Sequence, residues 1–276
     1  MKDELNGNVQ SLERALILLE KLAENPDGCS IKFLSEQTSL HKSTVHRLLH
    51  TLVNYGYVYQ AETSERYHLG LKILSLSNGL LESLDVRSIA RPFLEQLCQA
   101  TGEAVHLSIQ NDAFAVFIDK VENPNRTIRM YSQIGKTIPL YCSSSGKAIL
   151  AWMPESKIRK LVGNGPFKRY TKNTITDLET LLTQLNNVRN QGYATDWFEH
   201  EDSIFCVASP VFDSTNQVVA AVSIAGTILQ LNPERFLEYC AQVNKTTKLI
   251  SARLGCSTYP AMFNPRQMEW DDQPTL

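Results

Sequence analysis

Neither a twenty-residue apolar run nor a charged, apolar, small-residue secretory signal opens the chain, whose first residues include Lys2, Asp3, Glu4, Asn6 and Asn8. A soluble, cytoplasmic protein with no membrane partner is expected. The six cysteines, Cys29, Cys98, Cys142, Cys206, Cys240 and Cys256, form no C-x-x-C pair and no close Cys/His run. That scatter argues against structural zinc and against a disulfide framework, so no metal ligand is assigned and the thiols read as small buried hydrophobes. No G-x-S-x-G, H-E-x-x-H or Walker pattern occurs, which leaves no catalytic residue and no cofactor to name. Internal repeats are also missing. A formal net charge of −2 excludes a globally basic nucleic-acid coat, although a specific DNA reader needs only a local basic face.

What is present is a chain of 276 residues, 43% hydrophobic, enough for one large core or two moderate ones. Val9, Leu12, Leu16, Leu19, Leu22 and Ala23 recur at helical spacing before the turn Asn25-Pro26-Asp27-Gly28. Ser30 is placed to cap a short second helix carrying Ile31 and Leu34 inward. Ser39-Leu40-His41 then connects tightly to a third helix, from about Lys42 to Asn54, with Val45, Leu48, Leu49 and Leu52 on its apolar side. Tyr57-Val58-Tyr59 and Tyr67-His68-Leu69 read as two strands of a wing.

Beyond a further helix over 71–84, Ile89, Phe93, Leu94, Leu97 and Cys98 mark another, closed by Thr101-Gly102. Alternation through Val105, Leu107 and Ile109, a turn at Asn111-Asp112 and the run 113–121 predict a hairpin, to which 127–132 adds a third strand. A short helix follows Ser145. A longer one is expected from a Thr176 cap to Gly192. Strands over 206–212 and 218–226, then a closing helix over 234–254, complete an antiparallel sheet with flanking helices, an α+β architecture.

The sharpest signal is a gap in charge. Between Gln37 and Ala61 there is no Asp or Glu, although acids are frequent on either side. A recognition helix lying in the major groove must avoid phosphate repulsion and present cations and hydroxyls, and Lys42, Ser43, Thr44, His46, Arg47 and His50 supply that face. The alternative is a helical bundle whose third helix has only a solvated or protein-docking face. Arg66, between the wing strands, suits a phosphate or the minor groove, but Glu62 and Glu65 beside it fit a plain solvated turn equally well.

Across 9–254 the sequence resembles the IclR family of bacterial regulators. The resemblance is carried by Ser11-Leu12-Glu13-Arg14-Ala15-Leu16, Leu40-His41-Lys42-Ser43-Thr44-Val45-His46-Arg47-Leu48-Leu49 and Gly56-Tyr57-Val58 in the first domain. Thr101-Gly102-Glu103, Ser143-Ser144-Ser145-Gly146-Lys147-Ala148 and Pro210-Val211-Phe212-Asp213 carry it in the second. It implies a winged helix-turn-helix DNA-binding domain (8–70), a linker helix (71–86), a GAF-like effector-binding domain (87–256) and a C-terminal tail (257–276). It also implies homodimers or homotetramers that bind double-stranded operator DNA and control catabolic operons. Ile128 to Gly135, Pro139-Leu140-Tyr141 and Asn173-Thr174-Ile175-Thr176 look most like branches controlling pectin, ketodeoxygluconate and other sugar-acid catabolism.

The same resemblance implies a pocket for a sugar acid or related carboxylate, lined by Ser144, Ser145 and Gly146, with Met130 and Ile138 as apolar wall. Asp196, Cys206 and Ser223 stand where relatives place polar pocket residues, and Ala225 departs from a common serine. On residue type alone, Ser144 and Ser145 equally suit a helix cap, Met130 and Cys206 a core, and Asp196 either a ligand hydroxyl or an arginine partner. Lys147 is expected to point to solvent or a partner. Cys142 and Cys206 keep open a thiol redox sensor, or a cysteine-dependent GAF-type enzyme.

Overall fold

The computed structural model describes residues 9–82, 85–123 and 132–259. The chain divides between Ser83 and Leu84 into two compact units. The first contains α1 (Gln10–Ala23), α2 (Ile31–Thr38), α3 (Lys42–Asn54), β1 (Val58–Gln60), β2 (Tyr67–Leu69) and α4 (Lys72–Glu82). Ser30 caps α2 by accepting the Phe33 N–H, and Ser39, at φ 56°, ends it in the left-handed region. Ser35 Oγ then donates to the Leu40 carbonyl at 2.6 Å, which fixes the tight turn into α3. Leu18, Leu34, Val45 and Leu49 are fully buried against one another, so the inward stripe of α3 sets its outward face. α1 departs from expectation. Leu18 and Leu22 are its buried residues, whereas Val9, Leu12 and Leu16 are exposed. The wing strands pair antiparallel, Val58 opposite Leu69, and a Cβ on Gly70 would lie 2.2 Å from the Gly56 carbonyl oxygen. Only glycine permits that approach.

The second unit contains α5 (Asp85–Thr101), β3 (Ala104–Asn111), β4 (Phe114–Val121), β5 (Thr137–Pro139), α6 (Ser144–Leu150), α7 (Glu155–Val162) and α8 (Leu178–Gln191). β6 (Ala194–Trp197), β7 (Ile204–Phe212), β8 (Val218–Thr227) and α9 (Pro233–Arg253) follow. The strands form one sheet in the order β5-β4-β3-β8-β7-β6, antiparallel throughout. Small residues on one face, Ala115, Ala194, Ala208 and Ala221, let α6, α7 and α8 pack closely. On the other face Phe205 stacks on Tyr239 and Trp197 meets Phe236, both from α9. The sheet is therefore covered on both sides.

Four expectations need correction or fall outside the described residues. The cap of α8 is Asp177, whose Oδ1 accepts the Thr180 N–H at 2.8 Å, and not Thr176. The third strand is β5, while 124–131, including Met130, lie outside the described residues and Ser132 is not in a strand. Neither α7 nor β6 was anticipated. The expected tail begins tied down: Tyr259 Oη lies 2.7 Å from Thr247 Oγ1 and its ring meets Phe212 edge-on. Among the described residues no helix is long and apolar enough to cross a membrane.

Candidate functional site

Two surfaces carry the predicted site residues, one in each unit. On α3, Lys42, Ser43, His46, Arg47 and His50 are exposed and Thr44 is half-buried, while Val45 and Leu49 on the opposite side are fully enclosed. The helix starts at Lys42 without a side-chain cap, and the Thr44 and Val45 N–H groups both donate to the His41 carbonyl. Local bonds order this face: Thr51 Oγ1 donates to the Arg47 carbonyl at 3.1 Å, and Asn54 Nδ2 is 3.3 Å from His50 Nδ1. Arg66 is engaged differently from either sequence alternative. Its Nη1 donates to the carbonyls of Gly28 at 3.2 Å and Asp27 at 3.4 Å, tying the wing to the turn after α1.

In the second unit, a cavity of about 70 Å³ opens on the α6 face of the sheet. All six strands contribute to its wall: Ile138 from β5, Phe117 from β4, His106 from β3, Ser223 and Ala225 from β8, Cys206 from β7 and Asp196 from β6. Ser144 and Ser145 face it from the first turn of α6. Six residues anticipated from sequence are thus brought together: Ile138, Ser144, Ser145, Asp196, Cys206 and Ser223.

Gly146, expected to contact a ligand, does not line the cavity. It serves packing instead, since a Cβ there would sit 2.3 Å from the Leu140 carbonyl oxygen. The helix cap is Ser143, whose Oγ accepts the Gly146 N–H at 3.2 Å, so Ser144 and Ser145 are not needed for that task. Among the described residues Ser145 Oγ has no hydrogen-bond partner, although the residue is 1% exposed. An unpaired buried hydroxyl costs about 1–3 kcal/mol, and a polar ligand in the cavity removes that cost.

Lys147 corrects an expectation. It does not point to solvent: its Nζ lies 2.5 Å from Glu199 Oε1 and 2.9 Å from Gln184 Oε1, inside the fold. Every residue of α6 is buried, so a lysine there must find an internal carboxylate. Glu199 in turn donates its backbone N–H to Asp196 Oδ1 at 2.7 Å. Among the described residues Asp196 pairs directly with neither an arginine nor a lysine. Burial, and then the Glu199 carboxylate, raise the Asp196 carboxyl above the usual range, which suits a group that exchanges hydrogen bonds with ligand hydroxyls. Thr171 Oγ1 to the Phe198 carbonyl and Thr174 Oγ1 to the Glu199 carbonyl, both 2.6 Å, brace this turn.

Sequence reasoning missed His106, Phe117, Ser132, Lys136, His200, Glu201 and Ile204 as lining residues. His106 is buried, and burial together with Lys120 pushes its imidazole down to about 3. Its strand position, facing inward beside Val105 and Leu107 in an apolar run, carried no sequence signal beyond the lone histidine. Nothing in the cavity activates a thiol. Burial and then Asp196 push Cys206 well above its ordinary value, and burial does the same for Cys142. The redox alternative is therefore without support.

Comparison with known proteins agrees with both units. Residues 11–62 match the IclR helix-turn-helix domain, and residues 78–252 match the family described as bacterial transcriptional regulator IclR C-terminal. The HTH-type transcriptional regulator KdgR of Escherichia coli K12 is 36% identical over 258 residues, covering 94% of this chain and 97% of its own. The HTH-type transcriptional repressor AllR of Salmonella typhimurium LT2 is 35% identical over 246 residues, covering 89% of this chain and 90% of its own. The crystal structure of the Thermotoga maritima IclR superposes with a TM-score of 0.75 at 32% identity, covering 90% of this chain and all of that one. These relatives are regulators and not enzymes. An exposed acid-free face on α3 in one unit, a cavity walled by all six strands in the other and matches spanning both lead to one assignment: the chain belongs to the IclR family of bacterial transcriptional regulators, and it is a DNA-binding transcriptional regulator.

Proposed function

We propose that this protein represses a carbohydrate or sugar-acid catabolic operon and that a sugar acid or related carboxylate, bound in the second unit, controls its affinity for operator DNA. The observation that carries the reading is the split of α3 into two faces. Val45 and Leu49 are wholly enclosed while the acid-free set Lys42, Ser43, His46, Arg47 and His50 is exposed. Arg47 is assigned to a base edge, where a guanine O6 and N7 suit its fork, and Lys42 and Ser43 to phosphate. Arg66 supports the wing and contributes charge beside the groove.

The cavity supports an effector that combines negative charge with several hydroxyls. Lys136 at its rim offers a cation, Ser144, Ser145 and Ser223 offer hydroxyls, and Ile138 and Phe117 supply apolar wall. Asp196 accepts or donates according to its proton. The resemblance to sugar-acid regulators noted in the sequence points the same way. A homo-oligomer is supported by the exposed apolar residues Val9, Leu12 and Leu16 on α1 and Leu71, Leu74 and Leu76 at α4, which a second copy is suited to cover.

The test is binding of a duplex selected by the wild-type protein from a random-sequence pool, followed by fluorescence anisotropy. Arg47→Ala is expected to weaken that binding while leaving sugar-acid binding intact. Unchanged duplex affinity contradicts the reading.

A further inference from the structure

We propose that His106 and Ser132 form a second recognition pole in the effector cavity, which takes an uncharged oxygen of the ligand and thereby selects long polyhydroxy acids over two- or three-carbon acids. This deepens the proposed function and rests on its assignment of the cavity to an acidic effector.

The register of the sheet separates the two poles. His106 pairs with Ser223, Ser223 with Ala208 and Ala208 with Ala194, while Asp196 pairs with Cys206, Cys206 with Ala225 and Ala225 with Ala104. Both rows lie on the cavity side of the sheet, two residues apart along the strands. Three strand spacings separate β3 from β6, about 14 Å, and the two-residue offset adds about 7 Å along the strands. Side chains reaching inward from both ends shorten that gap, and on this separation a two- or three-carbon acid held at Asp196 is expected to stop short of His106. A five- or six-carbon chain bearing hydroxyls along its length has the reach.

The chemistry at the far pole fits a hydroxyl or carbonyl. His106 Nε2 lies 2.6 Å from Ser132 Oγ, and the ring packs on Phe117 at 4.7 Å between centroids. Lys120, opposite His106 on β4, donates its Nζ to the Ser132 carbonyl at 3.0 Å, and burial first, then this cation, keep the ring neutral. A neutral imidazole paired with a hydroxyl presents one donor and one acceptor, so it binds an alcohol or carbonyl oxygen in preference to a carboxylate. No ligand charge is needed there.

Calorimetric titration of the full-length protein with gluconate, galacturonate and glycolate tests this. His106→Leu and Ser132→Ala should each weaken binding of the long acids by about 5- to 150-fold, the loss of a buried neutral hydrogen bond. Glycolate binding should not change, and His106→Gln, which keeps a neutral donor and acceptor, should restore most of the long-acid affinity. A retained far-UV circular dichroism spectrum and a cooperative thermal transition show that the second unit of each variant is folded. Should His106→Leu and Ser132→Ala leave the long acids unaffected, or weaken glycolate equally, the second pole is wrong while the effector assignment stands. Failure of the wild type to bind any of the three acids overturns both.

Discussion

Lys147 Nζ lies 2.5 Å from Oε1 of Glu199, with both side chains almost wholly shielded from solvent, and the backbone N–H of Glu199 holds Asp196. The helix carrying Ser144 and Ser145 is thus joined through one buried ion pair to the β6–β7 turn, which follows Asp196 at the end of β6. The proposed ligand-binding groups from two separate elements are thereby tied together. Breaking such a pair strands a charge in a low-dielectric interior, which costs more than the pair contributes relative to an apolar replacement.

Lys147→Met is therefore expected to lower the stability of the second unit by about 3–5 kcal/mol in urea unfolding. The double variant Lys147→Met with Glu199→Leu should recover much of that loss, because no orphan charge remains. Both should weaken sugar-acid binding, since the turn whose backbone holds Asp196 loses its tie to α6.

Arg47 lies on the exposed face of α3, away from Leu18, Leu34, Val45 and Leu49. Arg47→Ala should leave the thermal transition unchanged and reduce affinity for the selected duplex by about 5- to 150-fold, the value of one bidentate base contact. Lys42→Ala should weaken all duplexes similarly and reduce the slope of log affinity against log salt by about 1.

His106 gives a pH dependence whose sign is determined by burial. Its folded value is lowered to about 3 by burial and Lys120, below the ordinary histidine value, so the unfolded chain binds more protons between those limits. The stability due to the neutral buried imidazole is complete above about 6.5 and is lost as pH falls toward 3. Denaturant titrations between pH 7 and pH 4 should show His106→Gln losing less stability than the wild type. Equal losses contradict the burial argument.

Cys206 borders the cavity but is pushed well above its ordinary value by burial and Asp196. Its alkylation by iodoacetamide at pH 7.5 should be slower than that of a small free thiol, and Cys206→Ser should keep duplex binding insensitive to peroxide treatment.

How much of this was legible in the sequence follows from which physical signals are local. The limits of α3, Lys42 to Asn54, were readable because its 3.6-residue periodicity, the tight turn before it and Gly56 after it agree. β6 was not, because four residues, Ala194 to Trp197, carry too little alternation to separate them from the preceding helix. α7 was missed for a related reason: its exposed charges, Glu155, Lys157, Arg159 and Lys160, leave Ile158 as its single buried residue. The caps fell one position from expectation at Asp177, because Thr and Asp are both good caps and only the backbone decides between adjacent candidates.

The cavity was partly legible. Residues standing in family-like positions, such as Ser144, Ser145 and Asp196, were found from motif resemblance. The buried partner of Lys147 lies 52 residues away in sequence, and the His106–Ser132 pair spans 26, so neither was visible to local pattern. Long-range pairing between titratable groups is a property of the fold.

The most direct test of the account is the affinity of the selected duplex with and without a saturating polyhydroxy acid, measured by anisotropy for the wild type and for the double variant Ser144→Ala with Asp196→Asn. The account predicts that the acid shifts wild-type affinity by about 5- to 150-fold and leaves the double variant unmoved. Equal shifts in both proteins, or no shift in the wild type with any of the acids, would contradict it.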